Sequence, residues 1–349
     1  MNKSYYQAIN EAIYESMKID KSVICYGLGV TDPKGVFGTT LNLEDKFGSD
    51  RVFDMPTSEN ALTGIAIGAS LNGIKPLVTH QRLDFFLLAM DQLVNSASKY
   101  YYMFGSQISV PITIRLIVGR GWGQGPTHSQ NLQSWFAHIP GIKVIMPSSA
   151  KDAKGLLLSA IFDPNPTIFL EHRWLHHTEG KVPKGVYKTP IGSAKILKKG
   201  SDLTIISMSY MTLEAIKACD YLEKNGVFCE LVDLRTISPL DWSTVFKSVK
   251  KTGRLLVLDT GFSTCSVASE IVSKVTINLY DKLKAAPDKL AMPDVPEPTS
   301  HALTKNFYNT DKQIVEKVNS ILGCKVRLKN NISKMEYHDV PNKFYKGPF

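Results

Sequence analysis

The sequence predicts an α/β protein made of two three-layer domains, each a mostly parallel sheet covered on both faces by helices. Two observations carry this. Short β-branched runs such as Val110–Ile117 alternate with amphipathic stretches along the chain, and these runs are mostly apolar. Strands buried on both faces read this way. The length agrees: 349 residues suit two domains and can bury a large core without staples.

Tyr5, Ala8, Ile9, Ala12, Ile13 and Met17 recur at helical spacing, so residues 4–18 read as a helix. A strand follows at Ser22–Tyr26. Pro56-Thr57-Ser58-Glu59 opens a helix over Glu59–Leu71, with Thr57 or Ser58 as its cap and Glu59 in its first turn. That helix is rich in small residues (Ala61, Gly64, Ala66, Gly68, Ala69, Ser70), which permit close approach of a backbone or ligand. Lys75–Thr79 reads as a strand, Asp84–Phe104 as one long helix, Val110–Ile117 and Lys143–Met146 as strands. Ser149 caps a helix to Phe162, and Thr167–Leu170 is a strand. Residues 172–200, with two prolines, many lysines and little periodicity, read as a linker. A second block has strands at Leu203–Met208, Cys229–Leu234 and Arg254–Leu258, and helices at Met211–Asn225, Cys265–Leu283 and Asp311–Leu322. The expected domains are 1–185 and 196–322, followed by a basic tail, 323–349.

Composition narrows the function classes. Hydrophobic residues at 43% and charged residues at 21% exclude disorder, collagen and coiled coil as the main architecture. The formal charge is +9, but six bases (Lys325, Arg327, Lys329, Lys334, Lys343, Lys346) against Glu336 and Asp339 put +4 of it in the tail. No basic stripe with interleaved aromatics stands elsewhere, so no nucleic-acid partner is expected. The five cysteines (Cys25, Cys219, Cys229, Cys265, Cys324) are odd in number and form no C-x-x-C pair. This argues against a disulfide framework and a zinc ribbon, and for a reducing compartment. The N-terminus lacks an apolar run and no stretch approaches 18 apolar residues, so a cytoplasmic protein with no membrane association is expected.

Several motifs are absent: neither G-x-x-x-x-G-K-[ST] nor G-x-S-x-G occurs. The glycine run Gly119–Gly125 does not fit G-x-G-x-x-G and reads as a flexible, ligand-approaching loop. His172 and His176, four apart with His177 adjacent, have the types but not the third ligand of a zinc site.

Three segments stand out: Pro56-Thr57-Ser58-Glu59-Asn60, a carboxylate at a helix start; Asp84-Phe85-Phe86 followed by Asp91-Gln92, aromatic then polar; and Pro126-Thr127-His128-Ser129-Gln130, a histidine just after the glycine run. Each alone has a structural explanation. A first-turn Glu suits the helix dipole, a Phe pair suits a core, and a loop His suits solvent.

Together, PTSENALTGIAIGASLNGIKPLV, DFFLLAMDQLVNSASKYYYM, VPITIR, THSQN, HIPGIKVIMPSSAKDAKGLLLSAIFDPNP and VDLRTISPLD resemble the beta subunit of the thiamine-diphosphate-dependent, decarboxylating component of 2-oxo acid dehydrogenase complexes. The pyruvate, branched-chain and acetoin types share this pattern, and the resemblance runs from about residue 4 to about residue 322. It implies a pyrimidine-binding α/β domain followed by a transketolase C-terminal domain. It also implies decarboxylation of a 2-oxo acid and transfer of the acyl unit to a lipoyl carrier. The cofactor works as a carbanion and needs a carboxylic acid on its pyrimidine N1′. By the resemblance that acid is Glu59, which should be buried, desolvation outweighing the helix N-terminus. Phe85 would pack on the pyrimidine and His128 would face substrate.

The resemblance also implies a potassium ion held mainly by carbonyls at Ile112, Ala160, Ile161, Asp163 and Asn165, since hard cations want oxygen. The diphosphate-and-magnesium motif, G-D-G and a later N-N, lacks its G-D-G here. The diphosphate half and its magnesium therefore belong to a separate alpha-type subunit, in an alpha2–beta2 heterotetramer, with a lipoyl acyltransferase as a further partner. Two departures concern the pocket. Gly27-Leu28-Gly29-Val30 stands where the family has an acid after glycine, and Thr79-His80-Gln81-Arg82 stands where it has Glu and an aromatic. His80 and Arg82 therefore suggest a more polar substrate or acceptor. The alternative activity is a carboligase passing the acyl carbanion to an aldehyde or sugar. The alternative of another class is a non-catalytic regulatory subunit, against which Glu59, Phe85 and His128 together speak.

Overall fold

Ser4 opens the first helix, Tyr5–Ile19, with a full capping box: Gln7 N donates to its hydroxyl (3.4 Å) and Ser4 N donates to Gln7 Oε1 (3.0 Å). The computed structural model describes residues 1–120, 123–304 and 307–327. Gly121 and Trp122 of the glycine run, and residues 328–349 of the expected tail, lie outside the described residues. The buried face of the first helix includes the six residues that the spacing predicts, and it packs on the helix Ala150–Ile161. Ser149 caps that second helix as predicted, accepting from Asp152 N (3.2 Å).

The first sheet has seven strands, in the order Thr236–Ser238, Lys143–Ile145, Thr167–His172, Thr113–Val118, Lys75–His80, Val23–Gly27, Val52–Asp54. All neighbours are parallel except the first pair. The chain goes from Val23–Gly27 out to the edge strand and returns on its other side as Lys75–His80, so the order reverses there. Open parallel sheets form their ligand crevice beyond the carboxyl ends of strands at such a reversal. Here those ends are Gly27 and His80.

The second sheet has five strands, ordered Asp288–Met292, Leu255–Phe262, Leu203–Ser207, Cys229–Asp233, Lys195–Lys198, only the last antiparallel to its neighbour. One apolar cluster runs across both sheets, from Val118 and Leu170 to Ile206 and Val232. Thr236–Ser238, from the second block of sequence, pairs in the first sheet. The two layered units therefore share a core.

Two expectations need correction. Residues 84–104 are not one helix. They form Leu83–Phe86, a 3-10 turn Leu87–Ala89, a π-helical turn Gln92–Ala97 and a short helix Tyr100–Met103. The apolar residues keep a near-helical spacing through all four windings, so periodicity does not reveal the change of pitch.

Residues 172–200 are not a loose linker either. Glu179–Lys181 pairs with an N-terminal strand, Asn2–Ser4, and Lys195–Lys198 edges the second sheet. His172, Arg173 and His176 are buried. Glu171 anchors the region. Its Oε1 meets Arg115 Nη2 at 2.6 Å and its Oε2 lies 3.4 Å from His176 Nε2, all three fully buried. Arg115 and the strand Asn2–Ser4 are distant in sequence, which is why the segment shows no local period.

Candidate active site

Glu59 heads the helix Glu59–Leu71 beside the crevice and is buried, at 6% exposure. Ser58 takes the N-cap position, but its hydroxyl makes no cap hydrogen bond, so the predicted cap is positional only. The helix is held from two sides. Tyr26 Oη donates to Leu62 O (2.8 Å), and Gln92 Nε2 donates to Asn60 Oδ1 (3.2 Å). The small face is used for packing: the Gln92 side chain lies 3.4 Å from where a Cβ on Gly64 would stand.

Phe85 is 37% exposed, and its ring meets His128 edge-on, centroids 5.2 Å apart at 87°. Asp84, one residue earlier, grips the loop just past the histidine: its Oδ1 accepts from Gln130 N (3.3 Å) and Nε2 (2.9 Å). His128 is exposed, with Nδ1 3.0 Å from Thr127 Oγ1. Two residues predicted from separate segments are thus in contact.

The crevice floor is tight. A Cβ on Gly27 (φ +153°) would stand 2.0 Å from Thr79 O, so only glycine fits between these strands. Asp54 fixes the next turn, accepting from Val30 N (2.7 Å) and Thr31 Oγ1 (2.7 Å).

The two substituted positions behave differently. His80 is buried edge-on against Phe86, 5.1 Å between centroids, and neither ring nitrogen has a hydrogen-bond partner. Burial pulls its pKa down to about 4, so the ring is neutral at pH 7. Arg82 does not point into open space. Nη1 donates to Gly119 O (2.8 Å), Nη2 donates to Gln124 Oε1 (2.5 Å), and the guanidinium lies 5.6 Å from the Phe37 ring centroid. Arg82 is a strut of the glycine loop.

The five expected potassium positions gather at one end of the sheet. Ile112 O accepts from Thr167 N (3.0 Å) and Ala160 O from Asp163 N (3.1 Å). Ile161 ends its helix, and Asp163 grips Lys143 Nζ at 2.6 Å while accepting from Asn165 N (2.9 Å). Asn165 Oδ1 is buried without a partner. These are oxygen donors of the type a hard cation takes. The three clustered histidines face different neighbours: His172 stacks on Tyr210, His176 pairs with Glu171, and His177 meets the Tyr6 ring. Among the described residues no group of three or more His, Cys, Asp or Glu is placed to hold a metal.

Sequence reasoning missed the far wall. Gln133 Nε2 donates to Asp259 Oδ1 (2.5 Å), and Asn131 Nδ2 donates to Glu297 Oε1 (3.4 Å), both carboxylates belonging to the second sheet's unit. With Asp84 on Gln130, three amides that follow the histidine each meet a different acid. The signal was the amide-rich run Gln130-Asn131-Leu132-Gln133 itself.

The fold and the family matches define a transketolase-like thiamine-diphosphate protein. Residues 2–177 match the transketolase pyrimidine-binding domain and residues 192–314 the transketolase C-terminal domain. The beta subunit of the acetoin:2,6-dichlorophenolindophenol oxidoreductase of Cupriavidus necator is 42% identical over 317 residues, covering 88% of this chain and 94% of that one. The pyruvate dehydrogenase E1 beta subunit of Rhizobium meliloti is 39% identical, over 90% of this chain and 69% of that one. That of Rickettsia conorii is 37% identical, over 90% and 97%. A split-gene transketolase solved as an inactive beta4 tetramer superimposes with a TM-score of 0.75 at 20% identity, over 93% of this chain and 99% of that one, a likeness of fold. The chain belongs to the family of E1 beta subunits of the thiamine-diphosphate-dependent 2-oxo acid dehydrogenase complexes. Such subunits work in a heteromeric E1 with an alpha subunit. No helix among the described residues is long and apolar enough to cross a membrane.

Proposed function

We propose that this chain forms the pyrimidine side of an active site completed by an alpha subunit, which supplies the magnesium-diphosphate side, and that the assembly decarboxylates a 2-oxo acid and passes the acyl unit to a lipoyl carrier. The supporting observation is the contact of the exposed Phe85 ring with His128, on a segment tied to the residue after Glu59. Thiamine diphosphate, when bound, supplies a carbanion at its thiazolium C2. Glu59, at the crevice and buried, would hold a proton on the pyrimidine N1′. Phe85 would cover the ring face and exclude water. Thr127 engages Nδ1 of His128, which leaves Nε2 to give or take a proton at the substrate oxygen. Potassium at Ile112, Ala160, Ile161, Asp163 and Asn165 would brace the sheet end, and Asn165 Oδ1 is the open oxygen that favours it. The stoichiometry proposed is alpha2–beta2, docked on a lipoyl acyltransferase.

A specific observation favours a second reading, a polar substrate or a carboligase acceptor. His80 presents two unpaired ring nitrogens at the carboxyl end of a crevice strand, where an apolar acyl chain would use neither. The complex reconstituted with its alpha subunit tests both readings through its product profile with pyruvate, branched-chain 2-oxo acids and a panel of aldehydes. Best turnover of pyruvate with a lipoyl domain supports the first reading, and best turnover with an aldehyde acceptor supports the second. No turnover with any combination removes both.

A further inference from the structure

We infer that Glu297, contributed by the second sheet's unit, is a positioning residue for the histidine loop, holding Asn131 and through it His128. This rests on the proposed reading of His128 as a group of the reaction centre.

Glu297 is 1% exposed, between Pro296 and Pro298, in the stretch that follows the edge strand Asp288–Met292. Such burial of a carboxyl is uncommon and needs a compensating partner. The partner is Asn131, also buried, whose Nδ2 bridges Glu297 Oε1 (3.4 Å) and Ser129 O (3.2 Å). Asn131 therefore ties the residue next to His128 to the second unit. Thr299 presses on the same loop from the other end: a Cβ on Gly125 would stand 2.2 Å from Thr299 Oγ1. The stretch carrying Glu297 and Thr299 thus meets the loop on both sides of the histidine.

The local chemistry favours a neutral carboxyl. Glu297 Oε2, Asn131 Oδ1 and Asp84 Oδ2 are all buried acceptors without a partner. A proton on Glu297 provides a donor for these acceptors. The charged groups that face Glu297 are Asp84, Arg120 and Arg82. Burial raises its pKa most, the Asp84 charge adds to this, and the hydrogen bond from Asn131 and the two guanidiniums oppose it, for a value of about 8. Above that pH a carboxylate stands near the Asp84 charge, and the hold on Asn131 changes.

The test uses the full chain with carbon-13-labelled histidine, and the complex reconstituted with the alpha subunit and assayed with pyruvate. The His128 resonance, assigned by its loss in His128→Asn, should show an inflection near pH 8 that Glu297→Gln removes. Glu297→Ala should lower kcat about tenfold with KM little changed, and Glu297→Gln should recover most of that loss at pH 7. An inflection that persists unchanged in Glu297→Gln, or Glu297→Ala with wild-type kcat, overturns the inference. If His128→Asn keeps full turnover while Glu297→Gln still removes the inflection, the catalytic reading of His128 fails and the hold by Glu297 stands.

Discussion

Two side chains at the crevice carry opposite chemical demands. In the proposed reading Glu59, buried at a helix head, holds a proton on a ring nitrogen. Glu59→Gln keeps a hydrogen-bonding side chain of the same length but cannot exchange the proton. It should abolish C2 proton exchange in the assembled complex with Tm unchanged, and near wild-type exchange would remove Glu59 from its role.

His80 must stay neutral, because neither of its buried nitrogens has a partner. Its folded pKa, about 4, lies below the ordinary 6.5, so stability is complete above pH 6.5 and is lost as pH falls toward 4. His80→Leu removes two unsatisfied polar atoms worth roughly 1–3 kcal/mol each, partly offset by imperfect packing. It should raise Tm, and by more at pH 5 than at pH 7.5. Thermal melts at the two pH values check this, and a lower Tm at both would show that the ring has a partner in solution.

At the scale of elements, close strand approach and loop struts shape the site. Gly27 illustrates the first. With Thr79 O 2.0 Å from its would-be Cβ, Gly27→Ala must push two central strands apart, at a cost of about 2 kcal/mol or more. Gly73, at φ +87°, has nothing near its would-be Cβ, so Gly73→Ala should cost only about 1 kcal/mol through backbone conformation. Urea denaturation of the two variants separates sterics from conformation, and equal losses would refute the close approach. Regular elements were largely legible. The first helix buries the residues its spacing predicts because one face meets one neighbour. The turns of 83–103 were not, since pitch depends on what the backbone packs against.

For the whole molecule, the question is how much of a cofactor site one chain holds. In the proposed reading the crevice supplies a carboxyl, an aromatic face and a histidine to the pyrimidine ring and substrate, and the alpha subunit supplies the magnesium-diphosphate side. The isolated chain should therefore bind thiamine diphosphate weakly. Calorimetry with magnesium should show tight binding only after the alpha subunit is added. Micromolar binding by the chain alone would mean that it carries a diphosphate site of its own.

Residue types and local periods determined the alternating α/β architecture and the core face of the first helix, and the motif resemblance nominated Glu59, Phe85 and His128 as chemical residues. Each of these is written within one element or one short motif, where spacings of 2 and 3.6 residues decide which side chains share a face. Tertiary structure alone decided that Phe85 meets His128, that Arg82 braces the glycine loop, and that Glu297 reaches Asn131. It also buried Arg115 with Glu171. The hydrogen-bonded pairs among these are separated by 37, 166 and 56 residues. No local period relates residues so far apart. Their contact follows from strand order and from a core shared by both sheets, which turns distant loops toward the same crevice.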